Sequence, residues 1–155
     1  MTRTEIRGLT LRHPWAWAFQ TAGKDVENRT WHPSRQGGSV GMFLALHGGS
    51  DKINSDYANE IMDALVWMEW QGCNLPSIHP NSLSAVVHSG IIAVAQLVDV
   101  RRDSPSPWAA QNQYHWCLKV TPLPEAVPHR GAQGLWTLEP EALARVRELY
   151  QAVSA

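Results

Sequence analysis

Only two cysteines occur in this chain, Cys73 and Cys117, and no C-x-x-C spacing joins them. That scarcity argues against a disulfide scaffold and against a cysteine zinc site, and leaves reduced intracellular thiols. Long apolar runs are missing too. No segment approaches the length of a membrane span, and Met1-Thr2-Arg3-Thr4-Glu5 lacks the apolar stretch of a signal peptide. The expectation is a cytoplasmic protein with no membrane partner. An excess of positive charge is also absent: the net charge is -1, which argues against holding duplex nucleic acid by neutralising many phosphates. The histidines His13, His32, His47, His79, His88, His115 and His129 are scattered, with no H-x-x-x-H pair. No metal and no cofactor are expected from them.

What is present suits one core. The 155 residues, 44% of them apolar, can fill a single domain spanning 1–155, whereas two domains would each be too small. Charge is unevenly spread. Residues 1–50 carry six basic and three acidic side chains, 51–100 one and six, and 101–155 six and five. A basic first third on a nearly neutral chain fits a nucleotide, a nucleoside or a short single strand of nucleic acid, with the acidic middle facing away.

Periodicity orders the elements. Leu9 and Leu11 alternate in a strand from Gly8 to Arg12, and Pro14 then opens a helix that stops at Gly23 with Trp15, Ala18, Phe19 and Ala22 as its buried stripe. A strand begins at Val26. A turn over Pro33–Gly38 leads to a strand from Ser39 to His47, and Asn54 or Ser55 caps a helix running to about Trp70. Tyr57, Ile61, Leu65 and Met68 line one side of that helix. Gln71–Ser89 reads as a long loop, Ile91–Arg101 as the strongest strand, Tyr114–Val120 and the region of Val127 as two more strands, and Pro140 as the start of a last helix. Its core side is Leu143, Val146 and Tyr150. Helices mixed with short strands in no regular alternation predict an α+β fold, for which a small mixed barrel with flanking helices suffices.

Chemistry concentrates in Gly23-Lys24-Asp25-Val26-Glu27-Asn28-Arg29-Thr30-Trp31. In an extended segment, residues two apart share a face, so Glu27 and Arg29 project together with Trp31 beyond them. Lys24 stands at the strand's entrance. A lysine beside a carboxylate and an arginine can bind phosphate, orient a planar base, or have its proton affinity tuned for catalysis; an exposed surface pair would look the same. Eight tryptophans are present, most of them expected in core or rim packing. Trp15 and Trp31 flank the charged motif and are the candidates to stack a base. His47 ends its strand just before Gly48-Gly49, where a side chain can enter a groove. Gln111, Asn112, Gln113 and Tyr114 are a polar approach to a strand that could read a base edge.

The K-x-x-E-x-R spacing of Lys24, Glu27 and Arg29, with Leu9–Trp15 before it, Phe43–Gly49 and Gly90–Ala95 after it, and Gly131–Trp136 near the end, resembles the ASCH family of the PUA-like superfold. The family pattern is G-x-K-x-x-E-x-R. Here Ala22 stands at the glycine position and Gly23 follows it. The resemblance implies a PUA-like β-barrel with flanking helices, a ligand groove where the first helix, the next strand and a later loop converge, and His13 and His47 beside Lys24, Glu27 and Arg29. It places Trp116 and Trp136 at structural aromatic positions of late strands. It implies binding of RNA or of a nucleotide-like ligand. Some relatives are amidohydrolases of acylated cytidine-type nucleosides that work with a lysine, a threonine and a glutamate; by that likeness Lys24 fits the lysine, but Glu27 stands where their threonine does. A catalytic Lys24 with Glu27 relaying its proton is a route open on the residues' own chemistry. Others cleave RNA with a lysine and a tyrosine, and the first helix here has no tyrosine. Binding is the leading expectation, a small hydrolase or ribonuclease the alternative, and a protein-interaction module, marked by a broad apolar surface patch, the third.

Overall fold

A computed structural model describes residues 5–76 and 83–154. The chain runs β1 (Ile6–Leu11), α1 (Trp15–Thr21), β2 (Val26–Arg29), β3 (Phe43–Gly48), α2 (Ser55–Trp70), β4 (Gly90–Arg101), β5 (Tyr114–Val127), β6 (Leu135–Thr137) and α3 (Pro140–Ser154), with short 3-10 turns at Pro33–Gln36 and Leu83–Val86. Among the described residues six strands form one sheet in the order β2-β5-β4-β3-β1-β6. Only β1 and β3 pair in parallel; the other neighbours are antiparallel. This is a mixed α+β fold whose sheet curls into a half-barrel. One hydrogen bond makes the curl tangible: Arg29 on edge strand β2 reaches the Thr10 carbonyl on β1, although three strands lie between them in the sheet order.

Side-chain alternation sends each strand's apolar residues to two sides. Leu9, Leu11, Leu44, Leu46, Leu97, Trp116 and Phe19 of α1 fill one side. Ile6, Ala45, Val94, Val127 and Trp136 meet Val146 and Leu149 of α3 on the other. A third cluster joins Trp17, Ala18 and Val26 to Ile61 and Met68 of α2 and to Trp108. Burial of this order, at about 25 cal/mol per Å² of apolar surface, is what holds a chain of this size together.

Three expectations are refined and one strand is added. β3 begins at Phe43 rather than Ser39, because Met42 N–H turns back to the Ser39 carbonyl. The two strands expected at Tyr114–Val120 and near Val127 are one continuous strand, with Pro122 and Pro124 inside it. Proline is tolerated there because β2 pairs only with Tyr114–Cys117, so the far half of β5 has β4 as its single neighbour in the sheet. β6 is too short to announce itself by alternation and forms by pairing with Arg7–Leu9 of β1. The loop expected over Gln71–Ser89 contains the turn at Leu83–Val86; its residues 77–82, with His79, lie outside the described residues, as do Met1–Thr4 of the amino terminus. Among the described residues no helix is long and apolar enough to cross a membrane.

Candidate functional site

The site starts from how α1 ends. Ala22 and Lys24 both donate their backbone N–H to the Ala18 carbonyl, and Gly23 between them takes a φ of +74°, a conformation glycine adopts freely. That closure turns the chain sharply and drives the Lys24 side chain back under the helix, where the residue is 2% exposed. Its ammonium donates to the Val26 carbonyl and to Glu27 Oε1 at 3.2 Å. It also lies 4.1 Å from the centroid of the Phe19 ring and 5.3 Å from that of Trp15, contacts that attract a cation through the ring quadrupole.

Glu27 is shared between two cations. Its Oε1 takes Lys24, while its Oε2 accepts from Arg29 Nε at 2.9 Å and lies 2.8 Å from Arg29 Nη2. Arg29 Nη2 also donates to the Thr10 carbonyl at 3.1 Å. Glu27 and Arg29 therefore project together as the alternation requires, and the pair is largely buried rather than a surface contact. Burial alone would push the Glu27 carboxyl up, but Lys24 and Arg29 together outweigh it and hold it below the ordinary value. Burial pulls Lys24 below the ordinary lysine value, and Glu27 opposes that in part. One carboxylate against two cations leaves the constellation with a surplus positive charge. Arg29 Nη1 makes no hydrogen bond to the described residues.

A cavity of about 400 Å³ opens over the triad, lined by Thr10, Arg12, Trp15, Lys24, Glu27, Asn28, Arg29, Trp67, Ala110 and Gln113. Trp15 and Trp67 stand edge to face, 5.8 Å apart, and form an aromatic wall. Arg12 is at the rim, over the Tyr57 ring and paired with Glu60 at 2.6 Å. The acidic middle of the chain therefore does not simply face away: α2 supplies Trp67 to the wall and Glu60 to the rim. Asn28 faces away from Glu27, as its position predicts, and clamps the 108–110 loop by donating to the Trp108 carbonyl and accepting from Ala110 N–H, both at 2.9 Å. Replacing it by Ala leaves those two backbone groups without partners. Asn28→Ala should cost about 1–3 kcal/mol in chemical denaturation and loosen the loop that carries Ala110 and Gln113, read as faster amide exchange there.

Of the candidates, Trp15, Lys24, Glu27 and Arg29 line the cavity together. His13, Trp31 and His47 do not. His13 is fully buried and its Nε2 lies 3.0 and 3.1 Å from the carbonyls of Gly49 and Ser50, which can only accept, so Nε2 carries the proton. Its Nδ1 is a buried nitrogen without a hydrogen-bond partner among the described residues. His47 Nε2 donates to the His129 carbonyl at 2.7 Å, leaving Nδ1 to accept from the Thr10 hydroxyl at 3.2 Å. Burial holds His47 below the ordinary histidine value. That Thr–His–carbonyl arrangement has the outline of an activated hydroxyl, but Thr10 Oγ1 already accepts from Trp136 Nε1 and Ala132 N, which occupies the lone pairs a nucleophile needs. Nor does the glycine after His47 admit a ligand: a Cβ on Gly48 would overlap the His88 carbonyl. Trp31 stacks edge-on against Trp116 at 4.9 Å. Trp67 is the wall residue the sequence did not single out, since no spacing rule relates position 67 to position 15. Gln113 is in the polar stretch that was singled out.

Among the described residues no group of three His, Cys, Asp or Glu side chains could hold a metal ion. No family model matches the chain, and no curated protein matches it.

Proposed function

We propose that this chain is an ASCH-like, PUA-like domain that binds a nucleoside or nucleotide, free or at the end of a short RNA strand, in the cavity over Lys24, Glu27 and Arg29. The observation that carries the reading is the joining, in one cavity of about 400 Å³, of a tryptophan wall with a buried triad whose charges sum to a positive excess. A cavity at the lower end of the range for small-molecule sites suits one nucleoside and excludes a duplex. Trp15 and Trp67 offer a face or edge to a base, Gln113 offers an amide that both donates and accepts, and Arg29 Nη1 offers a charged donor to a phosphate or a base carbonyl.

Binding is favoured over turnover because the Lys24 ammonium is already committed to Val26 O and Glu27, and the ionised Glu27 holds the proton on it. The lowered proton affinity of Lys24 favours the second reading, an amidohydrolase of acylated nucleosides in which Lys24 loses that proton and acts as base, with Glu27 relaying it.

The test is a titration of nucleosides, nucleoside monophosphates and a short single-stranded RNA into the protein, followed by tryptophan fluorescence and calorimetry. Saturable binding is expected, weakened by about 1–3 kcal/mol in Trp67→Ala and by about tenfold or more in Arg29→Ala. Absence of saturation with every probe would remove the binding reading. Incubation with N4-acetylcytidine runs alongside: deacylation lost in Lys24→Ala would establish the hydrolase, and no turnover in the parent protein would exclude it for that substrate.

A further inference from the structure

Helix α2 carries apolar surface that neither the core nor the cavity uses. Ile61 and Met68 are fully buried, and Trp67 turns to the cavity wall. Met62, Val66 and Trp70 lie elsewhere on the helix and are 42%, 49% and 85% exposed. Steps of four residues drift by only about 40° on a helix of about 3.6 residues per turn, so these three form one continuous stripe. The stripe ends in the large ring of Trp70 at the helix's last position.

Its borders are acidic. The same geometry sets Asp56 and Asp63 along one side and Glu69 along the other. All three are exposed, and none makes an ion pair with the described residues. Over residues 51–100 the only Lys or Arg is Lys52. Single-stranded RNA or an anionic membrane would meet like charge here, and a second copy laid face to face would set carboxylates against carboxylates. An apolar stripe between unpaired carboxylates complements a helix that is apolar on one side and cationic beside it.

We infer that the outer face of α2 docks a cationic amphipathic segment of a partner protein, seating apolar side chains on Met62, Val66 and Trp70 while its Lys or Arg residues pair with Asp56, Asp63 and Glu69. Trp70 is the anchor, since a large exposed aromatic gives the most on desolvation. The stripe adjoins the nucleotide cavity along Asp63, which stands one turn before the wall residue Trp67 on the same helix, and shares no lining residue with it.

Fluorescence anisotropy tests this with a labelled lysine–leucine peptide, leucines at i, i+3, i+4 and i+7, and the same peptide carrying glutamates for lysines. The lysine peptide should bind saturably and more weakly as salt rises. Trp70→Ala should lose about tenfold or more of that affinity, and so should Asp63→Lys combined with Glu69→Lys. Arg29→Ala should leave it unchanged. The substitutions at Asp63, Glu69 and Trp70 are on exposed positions, and an unchanged melting temperature confirms that those variants fold. The inference is overturned by no saturable binding, by equal affinity in Trp70→Ala, or by equal binding of the glutamate peptide. A dimer in sedimentation that Trp70→Ala abolishes would also overturn it, by giving the face to a second copy.

Discussion

Glu27→Gln is expected to destabilise the protein by about 3–5 kcal/mol, because it removes the one carboxylate from a buried cluster and leaves two cations facing each other without compensation. The substitution preserves shape, so the loss reports charge rather than packing. Lys24 suffers most, being only 2% exposed. Its proton affinity, already pulled down by burial, falls further once Glu27 no longer opposes that.

The pH dependence follows with a definite sign. In Glu27→Gln the cost is fully present below the folded-state pKa of Lys24 and shrinks as pH rises from there toward the ordinary lysine value of 10.5, because over that window the unfolded chain holds a proton that the folded chain has released. In the parent protein the acid limb carries the signal. The Glu27 carboxyl is held below its ordinary value of 4.5, so its contribution is present above 4.5 and is lost as pH falls through the lower folded-state value. Urea denaturation from pH 3 to pH 10, on parent and variant, measures both limbs; the pH limits are about those where carboxylates and lysines titrate. A loss below about 1 kcal/mol at neutral pH would mean that the triad behaves as an exposed pair.

Trp116→Ala should cost a similar amount, about 3–5 kcal/mol, the usual range for deleting a fully buried large aromatic. Trp116 has no exposed surface, meets Trp31 edge to face at 4.9 Å, and donates its indole N–H to the Trp31 carbonyl at 3.3 Å. It is also the cross-strand neighbour of Glu27. Emptying its place lets β2 sag into the cavity left behind, so ligand affinity should fall together with the denaturation midpoint. Trp116→Phe fills most of the space and loses the indole bond, worth about 0.5–1.5 kcal/mol, and should retain binding. If Trp116→Ala lowered stability while affinity stayed at the parent value, β2 would be held in place by its ladder and by the ion triad alone.

Both effects have one origin: the candidate site is built into the fold. Lys24 closes α1, Glu27 and Arg29 lie on β2, and Arg29 reaches across the curl to Thr10 of β1. A charged cluster that cross-links a sheet edge to a helix end is costly to bury and is tolerated where each member has partners. Here Arg29 lines the cavity, and its Nη1 makes no hydrogen bond to the described residues.

How much of this was legible in the residues depends on the range of the interactions. Local rules carried a long way. Alternation placed Glu27 and Arg29 on one side and Asn28 on the other, the cap at Asn54 was readable, its Oδ1 accepting from Tyr57 N–H at 2.8 Å, and Pro140 opens the last helix as its type predicts. Each depends on neighbours within about one turn of chain. The stop of α1 was readable for the same reason, and with it the position from which Lys24 turns inward.

Tertiary structure decided the rest, because it depends on which distant segments meet. Nothing local says that β6 should form, since three residues become a strand only when β1 offers an edge. Nothing local makes Tyr114–Val127 one strand through two prolines; the absence of a second neighbour does. His13 and His47 carry the residue type of a site, yet carbonyls of Gly49, Ser50 and His129, which spacing cannot foresee, claim their ring nitrogens. Trp67 reaches the cavity because α2 folds back over α1. Neighbours along the chain set which side chains stand together on β2 and concentrate charge there; long-range packing buries that charge, walls it with Trp15 and Trp67, and places Trp116 in the core.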